Sequence, residues 1–194
     1  MILENELYYW QSFIDGDIEA LSKLYLMYID ELYSYGMKIW PDEYLVRDSI
    51  QEVFIQIIEK QKRLKLTTKI KTYIFKSLRN KILEELRSKF RRKVIASLIF
   101  KSEKKSTKSV ELSFIKFEEN QNKAEIISLA LNELSVHQRE AIFLRYSNGY
   151  EYSEIAEIMG ITIASARTLI FRSLKKLKVV ISKKTSLAML IKRN

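Results

Sequence analysis

Residues 152–178, YSEIAEIMGITIASARTLIFRSLKKLK, read as two helices joined by a tight corner. In the first helix Ile155, Ala156, Ile158 and Met159 recur at helical spacing. Gly160 then permits a left-handed exit that a residue with a Cβ would resist. Thr162 is placed to cap the second helix, in which Ala166, Ile170, Leu174 and Leu177 form one stripe expected to be buried. The opposite face carries Ser165, Arg167, Thr168, Arg172, Lys175, Lys176 and Lys178, and no acidic residue follows Glu157. A helix with such a face suits the DNA major groove, which admits a helix between two rows of phosphates. The stretch predicts a helix-turn-helix.

Immediately upstream, residues 134–149 predict a bracing helix, with Ser135 as its cap and Asn148-Gly149 as the turn that closes it. Ala141, Ile142, Leu144 and Tyr146 are its core candidates. A helix over 123–134 precedes it. The chain end, 179–194, predicts a short tail helix to which the sequence assigns no role.

Further back the charge pattern divides the chain. The net charge is +10, yet the first 31 residues hold seven acids and one lysine, whereas residues 60–93 hold fourteen Lys or Arg against two Glu. Such asymmetry points to a polyanion for some segments and a different partner for others. With one Pro and four Gly among 194 residues, long helices are the default. Leu7, Phe13, Ile14, Leu21, Leu24, Tyr25, Tyr28, Leu32 and Tyr33 predict a short helix and then a longer one, broken at Gly16 and capped by Asp17. Pro41-Asp42 marks the next corner. The helix over 43–64 turns Val46, Ile50, Val53, Phe54, Ile57 and Ile58 inward, and Asp48, Gln51, Glu52 and Gln56 form a polar patch on its outer side. Residues 60–71 read as a basic loop. The helix over 72–90 then buries Ile74, Leu78, Ile82 and Leu86, leaving Tyr73, Phe75, Lys76, Arg79 and Asn80 near its loop-facing end. Rings among cations are the ingredients for holding single-stranded nucleic acid, with bases on rings and lysines on phosphates.

Residues 87–108 carry nine Lys or Arg against one Glu, and KSEKKSTKS at 101–109 has almost no apolar content, which marks a linker. There is no cysteine, which excludes disulfides and thiolate metal sites. The start of the chain lacks the basic and apolar regions of a secretion signal, and no window reaches the roughly 20 apolar residues of a membrane span. These features predict a cytoplasmic protein. His137, the only histidine, reads as a surface residue; with no second His and no Cys it supports neither a catalytic nor a zinc role. No glycine-rich phosphate loop is present. No cofactor, metal or small-molecule substrate is expected.

Two separated segments resemble the sigma-70 family of bacterial RNA polymerase sigma factors, in its extracytoplasmic-function group. Asp48-Ser-Ile-Gln51-Glu52-Val-Phe54 is similar to that family's D-x-x-Q-E-V-F motif, and Tyr73, Asn80, Glu84 and Arg87 fall on its W-x6-N-x3-D-x2-R pattern. In the second segment Gln138-Arg139-Glu140, Leu144-Arg145-Tyr146, Gly149, Tyr152, Glu154-Ile155-Ala156 and Met159-Gly160-Ile161-Thr162 sit where the family has them. The run Arg167 to Arg172 is similar to the versions in Bacteroidetes-type members. Tyr73 stands for the usual Trp, Glu84 for Asp, Ala166 for a larger Val, and Glu151 for a capping Ser or Thr.

The resemblance implies an all-α chain of two helical domains joined by a linker, the second a helix-turn-helix domain. It divides the chain into a region 2 domain over 1–95, a basic linker over 96–122, a region 4 domain over 123–180 and a tail over 181–194. It implies that Asp48, Gln51, Glu52 and Phe54 dock on core RNA polymerase. It further implies that Lys69, Lys71, Tyr73, Lys76, Arg79 and Asn80 recognise and help melt the downstream promoter element. Ala164, Ser165, Arg167, Thr168, Phe171 and Arg172 would read the upstream element. The implied partners are core polymerase, promoter DNA and an anti-sigma factor. Read without the resemblance, the helix-turn-helix equally fits a stand-alone dimeric regulator of transcription, and the basic faces fit a helical module that binds acidic proteins.

Overall fold

The computed structural model describes the backbone of residues 2–99 and 121–191 and, within those, the side chains of residues 5–92 and 127–183. Eight α-helices account for nearly all of it, and no strand occurs among the described residues. They are α1 (Ile2–Ile14), α2 (Ile18–Ile39), α3 (Glu43–Glu59), α4 (Ile70–Ile99), α5 (Gln121–Asn132), α6 (Val136–Tyr146), α7 (Tyr152–Met159) and α8 (Ile163–Ile191).

Local chemistry starts and stops these helices where the sequence places the signals. Asp17 Oδ1 accepts from the Glu19 N–H at 2.9 Å at the head of α2. Asp42 Oδ1 accepts from the Leu45 N–H at 3.1 Å at the head of α3. Ser135 and Gln138 cap each other at the start of α6, satisfying two N–H groups that the helix leaves unpaired. Gly160 ends α7 at φ 66°, ψ 39°, the left-handed conformation its lack of a Cβ permits. Glu151 caps without a hydroxyl: its N–H donates to Glu154 Oε2 at 2.8 Å, and α7 begins at Tyr152 as expected.

Helices α1 to α4 enclose Trp10, Phe13, Leu24, Leu32, Val46, Ile50, Ile57, Ile74, Leu78 and Ile82, each 2% exposed or less. The loop between α3 and α4 is tied to this bundle. Trp10 Nε1 donates to the Lys65 carbonyl at 3.2 Å, and Gln61, in a 3-10 turn over Gln61–Arg63, donates to the Phe13 carbonyl at 2.6 Å. A second bundle forms where α6, α7 and α8 pack around Ala141, Leu144, Ile155, Ala166 and Ile170. The two bundles share one continuous core, because α6 lies on α2 and α7 lies on α4.

Several expectations change. Ile58, Tyr146 and Leu174, expected inside, are 43%, 60% and 40% exposed, because each lies at the edge of its helix's apolar stripe. Helix α4 opens at Ile70 and continues to Ile99, so the basic run after residue 87 begins as helix rather than as linker. Residues 100–120, most of the expected linker, lie outside the described residues. The expected tail helix is the uninterrupted continuation of α8 through Ile191; no Gly or Pro follows Gly160 to stop it.

Candidate nucleic-acid interface

The residues expected to read the upstream element lie together on one open face. Ala164, Ser165, Arg167, Thr168, Phe171 and Arg172 are all exposed on the first three turns of α8, while Ala166 and Ile170 from the same turns are buried. Thr162 fixes the start of that helix by accepting from the Ser165 N–H at 3.1 Å. Tyr152 holds the guanidinium of Arg167 5.6 Å from its ring centroid and that of Arg145 at 4.8 Å. An arginine resting on a ring loses fewer conformers when it meets a base edge. Arg145 in turn donates to the Tyr150 carbonyl at 2.8 Å and pairs with Glu151 at 3.1 Å, so the turn before α7 is braced from both sides.

The downstream set is arranged differently. Asn80 and Lys69 are exposed, and Lys71, Tyr73 and Lys76 are half-buried. Tyr73 packs edge-on against Trp10 at 5.9 Å. Phe75, expected at the loop-facing surface, is fully buried between Tyr35 at 5.1 Å and Tyr150 at 5.4 Å. Arg79 is 9% exposed, and its Nε donates to Glu140 Oε1 at 2.7 Å. The same oxygen accepts from the Tyr35 hydroxyl at 2.8 Å, and Glu140 Oε2 lies 3.6 Å from His137 Nδ1. His137 itself is exposed, as expected. Burial, and then the Glu140 carboxylate, push the Tyr35 phenol far above its ordinary range.

Other pairs follow the same seam. Lys69 lies 3.4 Å from Glu157, and Thr72 donates to Glu154 at 3.4 Å. Lys71 pairs with Glu31 at 2.7 Å, while Glu31 accepts from Asn148 at 2.9 Å. The Lys71 ammonium also sits 5.5 Å from the Tyr150 ring centroid. Beside the seam an open cleft of about 630 Å³ has Arg79 and His137 on one wall and Ser165, Thr168 and Arg172 on the other. The sequence reading gives Glu140, Glu154 and Glu157 no binding role, and Asn148 only that of a turn residue. One signal was available for Glu140, an acid four residues before Leu144 and next to Ala141, and therefore on the apolar stripe of its helix.

On α3, Asp48 and Gln51 are exposed and Glu52 is half-exposed, 3.8 Å from Lys81. Phe54 is 7% exposed and packs edge-on to Tyr25 at 5.0 Å, so it belongs to the core beneath this face rather than to its surface. It floors a shallow pocket of about 180 Å³ lined by Ile18, Tyr25 and Ile58. Ile55 and Ile58, 47% and 43% exposed, extend the same side of α3. Mixed charge and exposed aliphatic surface is the composition of a protein-docking face. Among the described residues no helix is long and apolar enough to cross a membrane.

Comparison with known proteins matches residues 24–92 to the Sigma-70 region 2 family and residues 124–177 to the Sigma-70 region 4 family, together well over half of the chain. The chain is 25% identical over 170 residues to the ECF RNA polymerase sigma factor SigM of Bacillus subtilis, covering 83% of this chain and 94% of that protein. It is 23% identical to SigX of the same organism over 165 residues, covering 82% of each. Among solved structures it resembles the sigma factor RpoE in complex with the anti-sigma factor NepR from Bartonella quintana. There the TM-score is 0.63 at 21% identity, over 85% of this chain and 98% of that one. It also resembles CnrH in complex with the cytosolic domain of CnrY, with a TM-score of 0.65 at 15% identity over 92% and 98% of the two chains.

Proposed function

This chain belongs to the sigma-70 family, and from that premise we propose how its surfaces divide the work. It binds core RNA polymerase and directs transcription initiation at particular promoters. The observation that carries this reading is the presence of both family regions in order, one on α2 to α4 and the other on α5 to α8.

The outer side of α3, with Asp48, Gln51, Glu52 and the exposed Ile55 and Ile58, docks on polymerase; Phe54 supports that face from below. The exposed turns of α8 enter the major groove at the upstream element, with Arg167 as the leading base reader because a guanidinium matches the acceptors of guanine. Lys69, Lys71, Tyr73, Lys76, Arg79 and Asn80 hold the melted downstream strand. Extruding a base costs a few kcal/mol, which stacking and phosphate neutralisation offset. Polymerase performs the chemistry, and the chain itself is not a catalyst. It works in the cytoplasm. By likeness to the complex of RpoE with NepR, it is held in check by an anti-sigma partner.

Run-off transcription with purified core polymerase and fragments of the source genome tests this. Transcripts that require the chain and start at a shared pair of elements are expected. A chain that never co-elutes with polymerase, yet binds a palindromic duplex, would instead be a stand-alone regulator.

A further inference from the structure

We propose that α1 positions the loop ahead of α4 for the downstream element, with Trp10 as the positioning residue and Leu7 as a wall of the cleft beside that loop. The proposal rests on the division of surfaces argued above, which gives Lys69 and Tyr73 to the melted strand. The region 2 match begins at residue 24, so α1 lies outside both family matches. It nevertheless reaches the loop. Trp10 is 1% exposed, and its indole meets the chain on either side of Lys69: Nε1 donates to the Lys65 carbonyl at 3.2 Å, and the ring lies edge-on to Tyr73 at 5.9 Å. At the start of the loop Gln61 donates to the Phe13 carbonyl of α1 at 2.6 Å. Leu7, three residues before Trp10 and so on the same side of α1, faces Leu66, Thr67, Thr68 and Lys69 across an open cleft of about 410 Å³.

Tyr73 stands on a helix, whereas residues 64–69 belong to none. Thr67 Oγ1 accepts from the Lys69 N–H at 3.1 Å, which shapes the loop locally without fixing it to the bundle. The indole supplies that fixing, because it ties the backbone before Lys69 to the ring after it. A cation and a ring that keep their spacing in advance spare an incoming strand the cost of ordering the loop. A packing role alone would need only the ring. A buried indole N–H needs an acceptor, and here the acceptor is the loop, so phenylalanine would fill the core and release the loop. Leu7 and Leu66 give the cleft apolar sides for the face of an unstacked base, and Lys69 supplies a cation for its phosphate.

Two measurements on the full chain test this. Amide hydrogen exchange of residues 64–69, read by mass spectrometry without polymerase or DNA, should become about three- to tenfold faster in Trp10→Phe, the factor expected from one lost hydrogen bond. Holoenzyme carrying the same variant is then given a promoter found by run-off transcription, randomised in its downstream or its upstream element, and the stable open complexes are sequenced. Base preference should fall about three- to tenfold at the downstream element and stay unchanged at the upstream one. Leu7→Ala, which leaves both tethers in place, should weaken the downstream preference without faster exchange. Should Trp10→Phe lose its helical circular dichroism, Gln61→Leu, which removes the other tether from a half-buried site, decides by the same two readouts. Unchanged exchange overturns the proposal. So does faster exchange with downstream preference intact, since Trp10 is then only a core residue, or an equal loss at both elements, which marks general destabilisation. A chain that supports no promoter-dependent transcription fails the transcriptional reading and this proposal with it, and the exchange result still tells whether the tether exists.

Discussion

Arg79 of α4 and Glu140 of α6 form an ion pair of 2.7 Å across the seam between the two bundles, with side chains 10% and 2% exposed. Tyr35 adds its hydroxyl to the same carboxylate oxygen at 2.8 Å. A hydrogen bond to a buried charged group contributes about 1.5–3 kcal/mol. Tyr35→Phe, which keeps the ring against Phe75, should therefore lower stability by about 1–3 kcal/mol in urea denaturation. Because Tyr35 and Arg79 share one acceptor, the cost of Tyr35→Phe should shrink in a Glu140→Gln background. Full additivity would show that the hydroxyl acts independently of the carboxylate.

Close packing of α2 on α3 sets a second expectation. A Cβ added at Gly36 would lie 2.6 Å from Val46 Cγ1 and 3.2 Å from its Cγ2, and Val46 is fully buried. The β-branched side chain has little freedom to yield within its helix. Gly36→Ala should destabilise by about 1–3 kcal/mol, even though alanine gains up to about 1 kcal/mol in helix propensity. Adding Val46→Ala should recover part of the loss. No recovery would mean that the contact with Val46 does not set the helix separation.

These two sites mark how far the sequence can be read. Caps at Asp17, Ser135 and Thr162, the glycine corner at Gly160 and the stripe Ile74, Leu78, Ile82 are local signals, and each holds in the structure. Arg79 and Phe75 flank that stripe and on sequence alone read as available to nucleic acid, yet Glu140 and Tyr150, more than 60 residues later in the chain, cover them. Periodicity identifies an apolar face; it does not say which polar residue a distant helix will reach. Phe54 shows the converse, a motif residue expected at a surface whose side chain is buried and supports its helix from inside.

Alkaline pH should weaken the fold. Burial, followed by Glu6 for Tyr28, by Glu140 for Tyr35 and by Glu31 for Tyr150, raises all three phenols above their ordinary value. Unfolded tyrosines ionise near pH 10. The contribution of these groups is therefore complete below about pH 10 and is lost as pH rises above it, because the unfolded state then releases protons that the folded state retains. Urea midpoints should fall between pH 9 and 11, with tyrosinate absorbance rising together with the loss of helix. A midpoint unchanged over that window would show that the phenols titrate without unfolding.

On the side of α3 proposed to dock on polymerase, Glu52 lies 3.8 Å from Lys81, itself paired with Glu85 at 3.3 Å. Lys81 keeps its proton more firmly than usual: burial opposes this, but the carboxylates of Glu85, Glu52 and Glu84 outweigh it. Glu52→Lys reverses the charge of the docking patch at a half-exposed site, so stability should change by less than about 1 kcal/mol. Affinity for core polymerase should fall about tenfold or more, through like-charge juxtaposition at an interface. Unchanged affinity in a co-elution or fluorescence titration would move the docking face elsewhere.

Arg167 separates reading from mere attraction. Its guanidinium rests over Tyr152 at the exposed start of α8, free to reach a base edge. Arg167→Ala should weaken binding to the correct upstream element by about 1–3 kcal/mol while leaving random DNA nearly unaffected. A phosphate contact would behave otherwise, weakening all sequences alike and reducing the salt dependence by about one unit of slope. Binding measured across a salt series, on promoter and on scrambled DNA of equal length, distinguishes the two. Tyr152→Leu should then give a smaller loss of the same sequence-dependent kind, since it removes the ring that orients the guanidinium and leaves the charge in place.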